Sequence, residues 1–205
     1  RFGGLFLFLP DLVRLDVAGL ASAGGLPGSR MIPAAHALRA CLALKLWSIE
    51  RKSDVMALVA DEGLGLFAGL NASPKKSYLA EYSHRIDHAR TLRLLAAWHD
   101  HLAGTHLFGG GSFNLGFHSV PYYGAHPVVE RHYVAARSRR QPSILVFLAQ
   151  DADSRAFCYS NADIRKGEER SEVLRFVEFW KEVHGKYPQH LVFDSQLTTY
   201  QHLGQ

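Results

Sequence analysis

One acidic residue, Asp194, stands where an enzyme of the α/β class could use it. It lies in the apolar run LVFDS, residues 191–195, which predicts a short buried strand ending on an acid. Ligand and catalytic sites of α/β folds lie in the crevice at the carboxyl ends of such strands. With a second carboxylate on a neighbouring strand, the pair could hold two Mg²⁺ ions and support phosphoryl transfer. Without that partner, the simpler interpretation of Asp194 is a helix cap.

The stretch FNLGFH, residues 113–118, is the candidate for that neighbouring strand. Apolar residues alternate with the others in this stretch, which is the period of a half-buried strand. Its less apolar face carries Asn114, Gly116 and His118 and therefore supplies no acid. Glycine weakens a strand interior and commonly marks a bulge or a close backbone approach. Gly116 therefore needs an explanation.

Other acidic residues and the histidines give weaker signals. Asp151 and Asp153 form a D-x-D pattern in the segment QDADSR, where a hairpin turn is the simplest interpretation because turns favour Asp. Twelve histidines invite a metal interpretation, and His84 with His88 has the i, i+4 spacing of one helix face. No Glu follows as in a metalloprotease helix, so zinc is not favoured.

Two basic stretches are candidates for contact with a polyanion. ARSRRQ, residues 136–141, contains Arg137, Arg139 and Arg140 and is predicted to be a solvated loop, with a phosphate-contacting loop as the alternative. Lys75 and Lys76, beside Tyr78, Tyr82 and His84, are a similar weak signal for nucleic acid. Glycine-rich nucleotide-binding motifs and a nucleophile elbow are missing from the sequence, so nucleotide-binding and serine-hydrolase functions have no support.

The first half of the chain is predicted to be helical. The hydrophobic periodicity indicates helices at 11–25, 33–50, 54–63 and 85–104. Pro33 favours a helix start at the second of these, and Gly63 and Gly104 favour the ends of the last two. We expect a loop after Gly63, broken at Pro74.

The second half is predicted to form a mixed sheet. Strands are expected at 113–118, 144–149, 156–160 and 191–195, with the second and third joined as a hairpin. Helices are expected at 171–185 and from 198 onward. This order predicts an α/β domain with helices on the faces of the sheet. We place the domain boundary near 105–112, giving a helical region at 1–110 and an α/β domain at 111–205.

The composition is that of a globular protein with a small positive net charge. The 205 residues carry a formal net charge of +4 and are 47% hydrophobic. Cys41 and Cys158 both sit in apolar runs, which predicts buried reduced thiols and an intracellular location. The N-terminal apolar run is too short to span a bilayer, so we expect no membrane partner. We also expect a fragment of a longer reading frame, because the chain opens on Arg1 and stops in a predicted helix.

Several long blocks carry a resemblance to a known family. LVFDSQLTTY, preceded by LRFVEFWKEVHGKYP, resembles the second-acid region of bacterial insertion-sequence transposases of the Asp-Asp-Glu type. FNLGFHSVPYYG, VERHYVAARSRR and ILVFLAQDADSRAFCYSNADI resemble the first-acid region. GLFLFLP, LALKLWSIERKSDV and DEGLGLFAGLNASPKKSYLAEYS resemble the N-terminal region of the same family. The resemblance covers nearly the whole chain.

This resemblance implies a ribonuclease H-like mixed sheet behind a helical, DNA-binding N-terminal region. Its first and fourth strands run side by side, and two acids on them, with a Glu from a later helix, hold two Mg²⁺ or Mn²⁺ ions. Such enzymes cut double-stranded DNA at element ends and join it to target DNA, commonly as dimers, in the bacterial cytoplasm near the nucleoid. Asp194 matches the second acid. The first acid is expected in a pattern like L-D-F-H, which reads L-G-F-H at residues 115–118, so Gly116 stands in its place.

Both departures from the family pattern predict impaired catalysis. Gly116 removes the carboxylate that bridges the two metals, and the third acid would lie beyond Gln205. His118 and Asn114 share the face of Gly116 and could bind one metal weakly, but neither replaces a bridging carboxylate. The alternatives left open are a non-catalytic DNA-binding remnant that interferes with an intact transposase, and an unrelated metal-dependent nuclease on the same fold.

Overall fold

The computed structural model describes residues 3–49, 51, 53–109, 111–124 and 129–193, apart from the side chain of Arg170. The chain divides into two compact units, Arg1–His101 and Leu102–Gln205. We describe each unit by itself. In the described ranges, the helices all fall short of the length and apolar character that crossing a membrane requires.

Helices make up the regular structure of the first unit. The α-helices in its described part are α1 (Leu9–Arg14), α2 (Val17–Ala23), α3 (Ala34–Leu46), α4 (Glu62–Ala68), α5 (Lys76–His84) and α6 (His88–Leu102). Short 3-10 helices precede α1 at Gly3–Phe8 and α4 at Asp54–Ala57, and one follows α6 at Ala103–Thr105. The predicted helices at 33–50 and 85–104 are confirmed as α3 and α6.

Two predictions for this unit were wrong. The expected helix at 11–25 is two helices, because Asp16 adopts a left-handed conformation (φ 42°) and its side chain caps α2 at the Gly19 amide. Of the expected helix at 54–63, the part at Asp54–Ala57 is a 3-10 helix. α4 begins at Glu62 and extends into the segment expected to be a loop. Asp61 begins α4 by accepting a hydrogen bond from the Leu64 amide at 3.1 Å, and Gly69 ends it with φ 76°.

The core of the first unit lies between the helices. One cluster joins α1, α2, α3 and α4 through side chains that are at most 6% exposed: Leu5, Leu12, Val17, Ala43, Leu64 and Phe67. A second cluster joins α3 to α5 through Leu44, Val55 and Leu79. Short helices of six to thirteen residues depend on such burial, because isolated helices of this length are marginal in water.

The second unit contains a mixed sheet and an α-helix. Its strands in the described residues are β1 (Ser112–Pro121), β2 (Arg131–Val134), β3 (Arg139–Asp151), β4 (Phe157–Asn161) and β5 (His190–Phe193). Helix α7 (Glu169–His184) connects β4 to β5. The prediction of an α/β domain with a mixed sheet is confirmed. The predicted helix from residue 198 onward lies outside the described residues.

The strand order explains why the sheet is mixed. β3 pairs antiparallel with β1 on one side, and with β4 and β2 on the other. β5 pairs with the opposite edge of β1 and runs parallel to it. A parallel neighbour needs a long crossover, and α7 provides it. The order across the sheet is therefore β4, β3, β1 and β5, with β2 extending the β4 side.

Two strand predictions need correction. The stretch 136–141 was expected to be a loop, but Arg139 already begins β3, and β2 pairs with this first part of β3 as a hairpin. The strand at 191–193 was expected to be buried, but its residues alternate between half-buried and exposed, and Val192 is 56% exposed. In the described part of the sheet β5 has β1 as its only neighbour, so one edge and one face contact solvent.

Aromatic side chains fill the space between the sheet and α7. Phe113 from β1 lies 4.4 Å from Trp180 and 5.3 Å from Phe176 between ring centroids. Phe147 from β3 and Tyr159 from β4 extend the cluster. Since Phe113, Phe147, Phe176 and Trp180 are fully buried, this cluster defines which face of each strand is internal. The opposite face carries Gly116.

Candidate functional site

Gly116 lies within a regular part of β1. It pairs with Leu148 of β3 in an uninterrupted antiparallel register that runs from Phe113 to Pro121. A Cβ atom built at Gly116 meets no atom of the described residues within 4 Å, and the φ of Gly116 is outside the left-handed region. Gly116 therefore marks neither a bulge nor a close backbone approach, and the backbone there accepts a side chain.

The pairing of β1 with β5 brings together the two strands that carry the predicted acid positions. In this parallel pair Leu115 lies opposite Phe193, and Asn114 lies opposite Val192. Gly116 is the next residue after Leu115 in the chain, and Asp194 is the next after Phe193. Asp194 itself lies outside the described residues.

The sheet face around Gly116 forms a shallow hollow of about 240 Å³. Its polar side chains are Asn114, His118 and Gln150, and Leu148 and Phe157 supply apolar surface. Mg²⁺ prefers carboxylate oxygens, whereas the lining offers two amides and one imidazole. In the ranges that the structure describes, moreover, no three His, Cys, Asp or Glu side chains are grouped as metal ligands. The described residues thus do not fit a two-magnesium site as the chain stands.

The D-x-D segment has a structural role in the turn between β3 and β4. Asp151 is 1% exposed, and its Oδ1 accepts hydrogen bonds from the amides of Asp153 and Ser154 at 3.1 and 2.8 Å. The Ser154 hydroxyl donates to the same oxygen, and the Gly109 amide donates to Oδ2 at 3.1 Å. Asp151 therefore holds the turn, as its sequence pattern indicated, while Asp153 is exposed.

The predicted DNA contacts lie in different units. Arg137, Arg139 and Arg140 are exposed on the connection between β2 and β3 and on the start of β3. Lys75 and Lys76 are exposed at the start of α5 in the first unit. The two groups therefore do not belong to one compact unit.

The aromatic residues beside Lys75 do not support base stacking there. Tyr82 is only 5% exposed, and its ring stacks on Tyr78 at 5.6 Å. Tyr82 also lines an apolar cavity of about 370 Å³ within the first unit. Burial raises the pKa of Tyr82 to about 12. A buried ring is not available to a base, so Tyr82 does not provide the stacking surface that the sequence suggested, whereas Tyr78 is half-buried.

The histidine pair with helical spacing is divided between two helices. His84 ends α5, whereas His88 begins α6, so the pair does not lie on one helix face. A second close pair of histidines, His99 and His101, lies on α6, where His99 is buried and His101 is exposed. The i, i+4 rule applies only inside a continuous helix, which is why the spacing misled.

Sequence reasoning missed a buried carboxylate, Glu172 on α7. It is fully buried, and Oε1 accepts hydrogen bonds from the Tyr159 hydroxyl and the Asn161 amide, both at 2.9 Å. Its Oε2 is 3.0 Å from the Arg175 guanidinium. The signal was available, because Glu172 precedes Phe176 by four residues and so lies on the apolar stripe of the helix.

The two cysteines, Cys41 and Cys158, are thiols that are not joined in a disulfide. Cys158 is buried as predicted, and its thiol donates to the Ala149 carbonyl oxygen at 3.4 Å. Burial raises the pKa of Cys158 to about 12, and the charge of Asp151 adds to this effect. Cys41 is only half-buried, which differs from the prediction.

Comparison with known proteins adds no relative. No protein-family model, no curated protein and no solved structure matches this chain. The transposase resemblance of the sequence blocks therefore stays a prediction, and the strands around Gly116 are the structural feature that bears on it.

Proposed function

We propose that this chain is a transposase of the Asp-Asp-Glu type by descent, with a ribonuclease H-like second unit, that has lost strand cleavage through Gly116. The observation that carries the proposal is the parallel pairing of β1 with β5, in which Leu115 lies opposite Phe193. The residues that follow these two in the chain are the two positions expected to carry the first and second acids.

The connectivity of the sheet supports a ribonuclease H-like assignment. β1, β3 and β4 form an antiparallel series, and β5 returns through α7 to lie parallel to β1. With β2 set aside as an addition in the connection from β1 to β3, the first and fourth strands are neighbours, as the family resemblance implies. A crossover helix between β4 and β5 is likewise in the expected place.

The side chains around Gly116 explain the proposed loss of activity. A bridging carboxylate at position 116 would extend from the open face, where a Cβ contacts none of the residues that the structure describes within 4 Å. Glycine supplies no ligand there, and the neighbouring amide and imidazole groups do not replace a shared carboxylate. The magnesium-dependent cleavage expected of the family would therefore need at least an acid at 116 together with the family's third acid.

Gly116 also favours a second candidate function, a DNA-binding protein without catalysis. Such a remnant would keep the fold and its basic surfaces while lacking the acid pair. Exposed Arg137, Arg139 and Arg140 are compatible with this candidate. It differs from the first in predicting that the unchanged chain occupies element ends and interferes with an intact transposase.

Metal binding by Gly116→Asp tests the proposal directly. We expect this variant to bind Mn²⁺ at least about tenfold more tightly than the unchanged chain, measured by titration calorimetry, because a carboxylate pair replaces a single acid. Val120→Asp is the matched control, since residue 120 lies on the same face of β1 roughly 13 Å away. It adds the same charge without the predicted partner.

A second substitution tests whether Asp194 is that partner. We expect Gly116→Asp combined with Asp194→Asn to lose the gained Mn²⁺ affinity. If Gly116→Asp and Val120→Asp bind Mn²⁺ equally, the assignment of the acid pair is wrong. Strand cleavage by the unchanged chain in Mn²⁺ would contradict the proposed inactivity.

A further inference from the structure

The hairpin between β2 and β3 forms a basic arm, which we define as residues 131–143. We infer that one face of this basic arm binds the phosphate backbone of duplex DNA. The inference deepens the proposed function, on which it rests, because it assigns DNA holding to a surface separate from Gly116. It adds Arg131 and Tyr133 to the arginines indicated by the sequence.

The charged side chains of the basic arm are positive and include no acid in residues 131–140. Residues 131–140 read RHYVAARSRR, with four arginines and no acid, and all four arginines are exposed. The adjacent acid, Glu130, contacts groups other than these arginines. Its Oε2 lies 3.4 Å from Nε2 of His132 and accepts a hydrogen bond from the Lys166 amide at 2.8 Å. The arginine charges are therefore available to an external anion.

The register places an aromatic ring among these charges. Tyr133 lies opposite Arg140, and Arg131 lies opposite Pro142, so their side chains extend from the same face of the hairpin. Tyr133 is 58% exposed. Arginine guanidinium groups and tyrosine hydroxyls are common donors to DNA phosphate oxygens. The hairpin residues of this face, 131, 133, 140 and 142, thus supply donors and include no carboxylate.

The other face attaches the basic arm to its unit. Val134, Gln141 and Ser143 are buried there, and the His132 amide donates to the Ser143 hydroxyl at 3.2 Å. Arg131 reinforces the hairpin by donating to the Arg140 carbonyl oxygen at 3.0 Å. These contacts hold the exposed donors in a defined arrangement before any ligand binds, which lowers the entropic cost of binding.

The turn of the basic arm projects two further arginines. A 3-10 helix at Ala135–Arg137 is followed by Ser138 in the left-handed conformation (φ 48°). Arg137 and Arg139 flank this sharp turn, and the Arg139 guanidinium donates to the Gln141 side chain at 3.3 Å. Arg137 therefore adds positive charge beyond the paired strands, whereas Arg139 pairs with Val134 and lies on the attached face.

Salt-dependent binding to a short DNA duplex tests the inference. The arm variant combines Arg137→Gln and Arg140→Gln. The control variant combines Arg155→Gln and Lys186→Gln and removes two exposed charges elsewhere in the same unit. Fluorescence anisotropy over roughly 50 to 200 mM salt gives the affinity and its salt slope.

The basic arm predicts a specific difference between these variants. We expect the arm variant to bind roughly tenfold or more weakly and its salt slope to fall by about two, because about one counterion is released per phosphate contact. The control variant should keep both values near those of the unchanged chain. Tyr133→Phe should weaken binding severalfold at an unchanged salt slope, since it removes a neutral donor.

The outcomes separate the basic arm from the proposed function. Equal weakening by both double variants would overturn the inference, because binding would then depend on overall charge. Undiminished binding by the arm variant would overturn it as well, while leaving DNA as a substrate of the chain. If the unchanged chain binds no duplex at low salt, both the inference and the proposed function fail.

Discussion

Leu115 of β1 lies opposite Phe193 of β5, and the two strands run parallel. In a parallel pair, the side chains of two residues that lie opposite each other are on the same face of the sheet, and the face alternates from one residue to the next. Leu115 is buried and Phe193 is half-buried, so both lie on the internal side. Position 116 therefore belongs to the opposite, open face of the sheet.

The openness at Gly116 predicts that a side chain is tolerated there. Gly116→Ala should be neutral or stabilise the fold by up to about 1 kcal/mol, because glycine costs backbone entropy in a strand interior and the new Cβ has free space. Thermal unfolding measures this difference. A loss of several degrees in Tm would contradict the regular, open environment described for β1.

Gly65→Ala provides the contrasting control. A Cβ at Gly65 would lie 2.9 Å from the Leu70 carbonyl oxygen, and backbone cannot give way cheaply. We expect this substitution to destabilise the first unit by roughly 1–3 kcal/mol, the usual range for overpacking. The pair of variants thus compares two glycines that the sequence alone does not distinguish.

The D-x-D segment yields a second prediction. Asp151→Ala should destabilise the fold by about 2–3 kcal/mol, because it leaves several turn donors, including the Ser154 amide, without their acceptor. Asp153→Ala should have little effect, since Asp153 is exposed. Denaturant unfolding measures both. If the two substitutions were equally costly, the turn role of Asp151 would be wrong.

Regular periodicity explains the elements that the sequence predicted well. β1, the hairpin of β3 with β4, and α7 all have long stretches in which burial follows the period of the element. Gly185 ends α7 in the left-handed conformation, as a glycine at that position indicates. The mixed sheet followed from the order of these elements along the chain.

The missed elements depend on tertiary contacts instead. β2 has four residues and forms only because β3 extends past β4 and offers β2 a partner on that same edge. α4 contains two glycines, which disfavour a helix, but burial of Leu64 and Phe67 compensates for them. Within the candidate site, the sequence indicated Gly116, whereas the exposure of its sheet face required the strand order.

The buried carboxylate Glu172 gives a third prediction. Glu172→Gln should destabilise the second unit by roughly 3 kcal/mol, because an amide nitrogen would face a donor from Tyr159, Asn161 or Arg175. Tyr159→Phe should cost less, about 1–2 kcal/mol, since two donors to Glu172 remain. Chemical denaturation of both single variants and the double variant measures these energies.

Non-additivity is the specific result expected from that comparison. In the double variant the loss should be smaller than the sum of the single losses, because Tyr159 then no longer presents a donor to the altered side chain. Strict additivity would show that the 2.9 Å contact between Tyr159 and Glu172 contributes no coupling energy.

The raised pKa of Cys158 gives a fourth prediction, on the pH dependence of stability. Burial disfavours the thiolate and raises the pKa of Cys158 from 9.0 to about 12 in the folded chain. Below pH 9 the thiol is protonated in both states, so its contribution to folding is fully present. As the pH rises from 9 toward 12, only the unfolded chain releases the proton, and this contribution is progressively lost.

Cys158→Ala isolates this effect from other alkaline titrations such as that of Tyr82, whose folded pKa is also raised. The difference in unfolding free energy between the unchanged chain and Cys158→Ala should shift by roughly 1 kcal/mol in favour of the variant between pH 8 and pH 10. Denaturant unfolding at both pH values measures it. A difference that stays constant would mean that the folded chain admits solvent to the thiol. In that case Cys158 would also react with a thiol reagent at the rate of the half-buried Cys41.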